Sequence, residues 1–232
     1  MRSSAASDVY KRQLQHSAKH KIASNYGKSY YPSDYSPNAG WADYYGNEDF
    51  FKAYPNDDRK EWNYMTEWKI KSGEIIPYTE SADKLPAISK YYDYDEGAPG
   101  KSAQSNGITC IYRYAEVLLM YAEASTRATN SVNQDALNAI QEVQKRAGYQ
   151  DRQIELTTTT EPTAFLAAVS NERGWEFFAE MKRWFELVRL EKVKEVRAEE
   201  WDASTFNTNH HYYFPVPYQQ VDLAGWTNNA GY

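Results

Sequence analysis

Three glutamates near the middle of the C-terminal half are the first place to look for chemistry. Glu172, Glu176 and Glu180 follow one another at intervals of four, with Arg173 and Arg183 close by. Two carboxylates can act as general acid and base in glycoside hydrolysis if they face each other across one sugar bond, about 5–10 Å apart. At a spacing of four they stack along one helix face instead, so no substrate fits between them. Glu172 and Arg173 also continue the apolar stripe of Phe165, Leu166 and Val169. A charged pair on a buried stripe needs its partner nearby. Glu172, Arg173, Glu176, Glu180 and Arg183 therefore read as a structural ion network, with no catalytic residue among them.

Other reactive groups are sparse. His210 and His211 are adjacent, so their side chains diverge in an extended chain, and no third ligand stands at metal-site spacing. Asn56-Asp57-Asp58 opens like an acidic cation loop, but the sixth position of a calcium loop carries no Gly and Tyr64 stands where the bidentate Glu belongs. The chain has no phosphate-cradling Gly-rich loop, nucleophile elbow or HExxH motif. The single cysteine, Cys110, lies among Ile108 and Ile111 and reads as a small hydrophobe. No metal and no cofactor is expected. With a net charge of −6 and no basic stripe, nucleic acid is excluded as a partner.

Aromatic residues are the unusual feature. The 232 residues include 21 Tyr and 7 Trp, and 12 Tyr, 3 Trp and 2 Phe fall between Tyr26 and Tyr94. Such rings stack on flat or apolar surfaces, and their polar ends suit wet interfaces. Trp41, Tyr44 and Tyr45 lie between Gly40 and Gly46, and Tyr30 and Tyr31 precede Pro32 in a similar setting. These five are the ligand-binding candidates. Irregular loops also need bulky fillers, so packing is the competing role for each of them.

The elements that position these residues change character near Gly107. Before it, Pro32, Pro37, Gly40, Gly46, Pro55 and Gly73 interrupt any helix pattern; residues 66–71 and 74–78, joined by Ser72-Gly73, suggest a hairpin. Ala98-Pro99-Gly100 to Gly107 reads as a connector. After it the chain is helical. A first helix is expected over 111–127, with Ile111, Ala115, Leu118 and Ala122 inward and Arg113–Glu116 and Glu123–Arg127 pairs outward. A second is expected over 134–147, on Leu137, Ile140, Val143 and Ala147, capped by Asn133 or Ser131 and ended by Gly148. The short link makes these two a helical hairpin. A third begins near Thr160 with Pro162 in its first turn. A fourth covers 181–196 with Met181, Trp184, Phe185 and Val188 on one face. Alternating prolines in Phe214-Pro215-Val216-Pro217 forbid helix, and residues 214–232 are expected as an extended strap anchored by Phe214, Val216, Tyr218 and Trp226. Residues 1–13 read as a non-native leader, 14–106 as an aromatic-rich irregular region and 107–232 as the helical region. No run of 18 apolar residues is present.

Four stretches of this sequence resemble the C-terminal region of the SusD/RagB family. IYRYAEVLLMYAEA (residues 111–124) is similar to the family's signature helix, and AIQEVQKRAG (139–148) to its helix ending in Arg-Ala-Gly. NERGWEFFAEMKRWFELVR (171–189) resembles its charged pattern, and FPVPYQQVDLAGWTNNAGY (214–232) its terminal strap. Glu186, Val216, Asn228 and Ala230 are mild departures. The resemblance implies a mostly α-helical fold of tetratricopeptide-like hairpins, with an irregular aromatic-rich loop region and an extended C-terminal strap. It also implies a cell-surface lipoprotein of the outer membrane that is not an enzyme. Such a protein captures oligosaccharide and passes it to a SusC-like TonB-dependent transporter. The resemblance places the lipid anchor in an N-terminal half that is expected to lie outside residues 1–232. The alternative is a helical-repeat module that binds peptide or protein partners and no glycan.

Overall fold

The computed structural model describes residues 29–36, 39–90, 110–196 and 211–232. The expected leader, the connector at 98–107 and His210 lie outside them. The chain forms two compact units, residues 1–180 and 181–232. The composition change near Gly107 falls inside the first.

The described residues are mostly helical. In the first unit, α1 (Glu48–Ala53) and α2 (Asp58–Asn63) are short helices, each capped by a side chain: Asn47 accepts from Phe50 N and Asp57 from Arg59 N. Strands β1 (Tyr64–Met65), β2 (Glu67–Lys69), β3 (Ile75–Pro77) and β4 (Ala87–Ile88) form two antiparallel pairs, β1 with β4 and β2 with β3. The expected hairpin is β2–β3, turned at Gly73, whose φ of +93° suits glycine. Trp68 and Ile76 face each other across it, and both are buried.

Helices α3 (Tyr114–Thr129), α4 (Gln134–Arg146) and α5 (Pro162–Glu176) supply the main core. Asn133 caps α4 by accepting from Ala136 N at 2.8 Å, and Glu161 caps α5 ahead of Pro162. The α4 stripe is as expected: Leu137, Ile140, Val143 and Ala147 are all buried. Leu119, Ile140, Phe165 and Val169 interlock at the centre. Removing such a side chain from water is worth about 1.5–3 kcal/mol.

The expected phase of α3 is corrected. Ala115 and Ala122 are buried as expected, but Ile111 precedes the helix and is exposed, and Leu119 is fully buried where Leu118 only packs against the edge of the core. The inward face is Ala115, Leu119, Ala122 and Thr126. Ala115 and Ala122 belong to both faces, so the inward face turns by less than half of the roughly 100° between successive residues, and the run Leu118-Leu119-Met120 leaves that turn open to local reading. The rotation carries Glu116 and Glu123 inward and leaves Tyr114, Val117, Met120 and Tyr121 outside.

In the second unit the expected long helix is two, α6 (Arg183–Arg189) and α7 (Val193–Val196). Glu191 takes a left-handed φ of +56° between them, and Lys192 N donates back to Leu187 O at 2.8 Å. Leu187 and Val193 are buried, whereas Met181 and Phe185 are exposed, so that stripe too is corrected. The tail is not extended throughout. Beyond Pro217 no proline interrupts the chain, and Tyr218–Ala224 forms α8, closed by Gly225 at φ +66°. Phe214, Tyr218 and Trp226 are exposed, so they are not apolar anchors. Polar bonds hold the tail to itself instead: Val216 N donates to Asn228 Oδ1 at 2.8 Å, Asn229 Nδ2 to Phe214 O at 2.6 Å and Tyr232 OH to Tyr213 O at 3.0 Å.

Candidate functional site

The glutamates of α5 meet arginines from distant parts of the first unit. Glu172 and Glu176 are one turn apart, and Arg59 of α2 bridges them: its Nη1 donates to Glu172 Oε1 at 2.7 Å and to Glu176 Oε2 at 2.8 Å. The same guanidinium holds Asp57 through Nη2 at 2.5 Å. Glu176 Oε1 accepts from both Arg113 and Arg146. Glu180, just beyond α5, accepts from Arg113 Nη2 at 2.8 Å and from Lys90 Nζ at 2.7 Å. Gln144 Nε2 at 3.2 Å and Tyr149 OH at 3.1 Å complete the shell of Glu172. Asp57, Glu172, Glu176 and Glu180 thus stand against Arg59, Arg113, Arg146 and Lys90, four charges of each sign.

Burial by itself would push each carboxyl up. It prevails at Glu172, whose pKa is raised against the pull of Arg59. At Glu176 it is outweighed by Arg113, Arg146 and Arg59, which hold the carboxyl at about 2. Lys90 and Arg113 likewise keep Glu180 below the usual carboxylate range. Glu172 is fully buried. A general acid and base need access to substrate and to water, and Glu172 and Glu176 are instead neutralised inside the unit.

Two members of the sequence set belong elsewhere. Arg173 faces Glu116 of α3, with nitrogen and oxygen 3.7 Å apart, and lies 5.3 Å from the Phe177 ring centre, which Arg113 also approaches at 4.6 Å. Arg183 lies in the second unit and pairs with Glu186 at 3.1 Å. The cationic partners Arg59, Arg113, Arg146 and Lys90 were not identified from sequence. Arg113 stands inside the motif at residues 111–124, which carries no periodicity that points across more than sixty residues to α5.

The aromatic loop has the opposite character. Its backbone is pinned on both sides: Asp43 N and Tyr44 N donate to Ser29 O at 2.9 and 3.1 Å, and Gly46 N to Pro86 O at 2.9 Å. Tyr45 bridges Ala87 of β4. Both glycines are needed for close approach. A Cβ on Gly40 would lie 2.0 Å from Tyr31 O, and one on Gly46 would lie 2.4 Å from the Tyr64 ring. On this support Trp41 and Tyr44 are 54% and 55% exposed. The other three candidates are turned away from solvent. Tyr30 and Tyr31 are 4% and 1% exposed and fill the space under the loop, the Tyr30 ring 5.6 Å from that of Tyr44. Tyr45 is half-buried with its hydroxyl fully enclosed. Burial, with Asp83 and Asp34 adding to it, raises that hydroxyl's pKa. Of the two aromatic pairs, Tyr44-Tyr45 points one ring out and one in, whereas both rings of Tyr30-Tyr31 point in, and sequence does not say which.

Residues 15–232 match the model of the SusD family. The chain belongs to the SusD family. The SusD-like protein P2 of Formosa agariphila is 28% identical over 200 residues, which is 78% of this chain and 39% of the relative. Among solved structures, a SusD homolog from Bacteroides thetaiotaomicron superposes with a TM-score of 0.69 at 20% identity, over 90% of this chain and 48% of that one. Surface glycan-binding protein A from Bacteroides uniformis gives 0.62 at 24% identity, over 88% and 46%. At these identities the structural likeness concerns the fold. This SusD-family chain spans about two fifths of the curated relative and under half of either structure. No described helix is long and apolar enough to cross a membrane.

Proposed function

We propose that the protein captures a neutral oligosaccharide at the cell surface and passes it to a SusC-like TonB-dependent outer-membrane transporter, without catalysing a reaction on it. One observation carries this reading: Trp41 and Tyr44 present open ring faces on a loop whose backbone is pinned at Ser29 and Pro86. Aromatic faces of this kind match the apolar C–H faces of a sugar ring. A platform held rigid before binding loses less entropy when ligand arrives. Membership of the SusD family and a fold shared with a surface glycan-binding protein agree with it. Neutralised carboxylates on α5 agree with a binding role. Attachment to the outer membrane through an N-terminal lipid anchor belongs to the same proposal.

Titration of the complete protein against soluble neutral glycans (a glucan, a mannan and a xylan) tests it. Saturable binding is expected, with modest affinity and little dependence on salt, because stacking needs no charge pairing. Binding of peptides with no response to any glycan contradicts the reading and favours the peptide-binding alternative. Release of reducing sugar by the purified protein contradicts the non-enzymatic part.

A further inference from the structure

Stacking by itself does not choose among sugars, because every pyranose ring offers an apolar C–H face. Selectivity comes from the few polar groups placed beside the rings. Asp43 is the polar group that this loop supplies. It stands between Trp41 and Tyr44 in the chain, two residues from one and adjacent to the other, so its Cα lies within roughly 7 Å of both. Its backbone is fixed: Ala42 turns the chain at a left-handed φ of +55°, and Asp43 N donates to Ser29 O at 2.9 Å. Its side chain is exposed, and no hydrogen bond or ion pair among the described residues engages the carboxylate. The other carboxylates around the loop are engaged. Asp34 accepts from Trp68 Nε1 at 2.8 Å and from Ala82 N at 3.0 Å, Asp83 from Ser33 Oγ at 2.9 Å, and Glu48 pairs with Lys52 at 3.1 Å. Asp49 occupies the first turn of α1, where the positive end of the helix favours a carboxylate.

We infer that Asp43 is a specificity-determining residue of this platform: its oxygens accept hydrogen bonds from hydroxyls of a stacked neutral sugar, and its charge turns away uronate and sulfated glycans. The inference rests on the capture reading above and adds the class of ligand that is refused. An ionised carboxylate only accepts hydrogen bonds, so it pairs with the O–H groups that a neutral sugar ring carries. A uronate or sulfate brought to the same rings sets like charges side by side, and such a juxtaposition suppresses the wrong partner. The surrounding sequence deepens the bias. Residues 29–51 contain four acids, Asp34, Asp43, Glu48 and Asp49, and no lysine or arginine.

Two variants of the complete protein test it, Asp43→Ala and Asp43→Asn. Each is titrated beside the unaltered protein with matched neutral and uronic glycans: glucan with polyglucuronate, mannan with polymannuronate, and xylan with glucuronoxylan. The unaltered protein is expected to bind a neutral member and to refuse its uronic counterpart. Asp43→Ala is expected to bind that neutral glycan about tenfold or more weakly, the usual effect of removing hydrogen bonds to a charged group, at an unchanged melting temperature. Asp43→Asn keeps an acceptor and loses the charge. It is expected to retain more of the neutral affinity than Asp43→Ala and to gain measurable binding of the uronic counterpart at low salt. Unchanged neutral affinity in Asp43→Ala, or a uronic glycan still refused by Asp43→Asn, overturns the inference and leaves capture standing. A melting temperature lowered by several degrees in both variants overturns it as well, because Asp43 then serves the loop and not the ligand. Failure of the unaltered protein to bind any neutral glycan overturns the inference together with the reading it rests on.

Discussion

The glutamates of α5 and the aromatic loop at 41–46 are the two parts of this molecule richest in groups that could act on a ligand, and they are resolved in opposite ways. Around α5 every carboxylate has found cations from within its own unit: Arg59, Arg113 and Arg146 converge on Glu176, and Lys90 and Arg113 on Glu180. Its bonding capacity is used up by the fold. In the loop, Tyr30, Tyr31 and the Tyr45 hydroxyl are consumed as support, while Trp41 and Tyr44 keep their faces open. Reactive residue types therefore do not locate a site. What remains unspent after folding does.

Breaking the ion network is expected to have the largest effect. Glu176→Ala leaves Arg113, Arg146 and Arg59 without a shared acceptor, and removing one partner of a buried pair typically costs about 3–5 kcal/mol. Chemical denaturation checks this; a change under about 1 kcal/mol would show that the network is spectator to the fold. Tyr31→Ala is expected to cost a comparable amount, about 3–5 kcal/mol, because a fully buried ring leaves a cavity under the loop. Measured beside Glu176→Ala, it compares the support of the loop with that of the helices.

Acid sharpens the same comparison. The Glu176 carboxyl is held at about 2 against an ordinary 4.5. The unfolded chain therefore takes up that proton first. The stabilisation is complete above the ordinary value and is lost as pH falls toward 2. The difference corresponds to about 3 kcal/mol. Glu180, also lowered, adds to the loss in the same window, and Glu172, raised, works against it. Denaturation midpoints between pH 6 and pH 2.5 check this, and the acid-dependent loss should shrink in Glu176→Gln. The Asn133→Ala change removes one cap of α4 and should cost about 1 kcal/mol, visible as a small fall in melting temperature.

The fold was legible where periodicity and termini agree. α4 has an unambiguous stripe, a capping Asn133 and a terminating Gly148, and each is where sequence puts it. In its neighbour α3 the expected face kept Ala115 and Ala122 but took Leu118 in place of Leu119, because three large apolar residues in a row fit either reading. Long-range charge pairing was legible only in part: the burial of Glu172 follows from its stripe, but Arg59 comes to it, and Arg113 to Glu176 and Glu180, through tertiary contacts without a local signal. In the loop, composition marks the aromatic segment, and only packing under Gly40 and Gly46 sorts its rings into support and surface.

The double substitution Trp41→Ala, Tyr44→Ala in the complete protein tests the central claim most directly, with glycan affinity and melting temperature measured on the same sample. Both rings are exposed, so stability should change by no more than about 0.5–1 kcal/mol, the smallest effect in this series, while glycan binding is lost. Glycan binding that persists at the affinity of the unaltered protein would contradict the account.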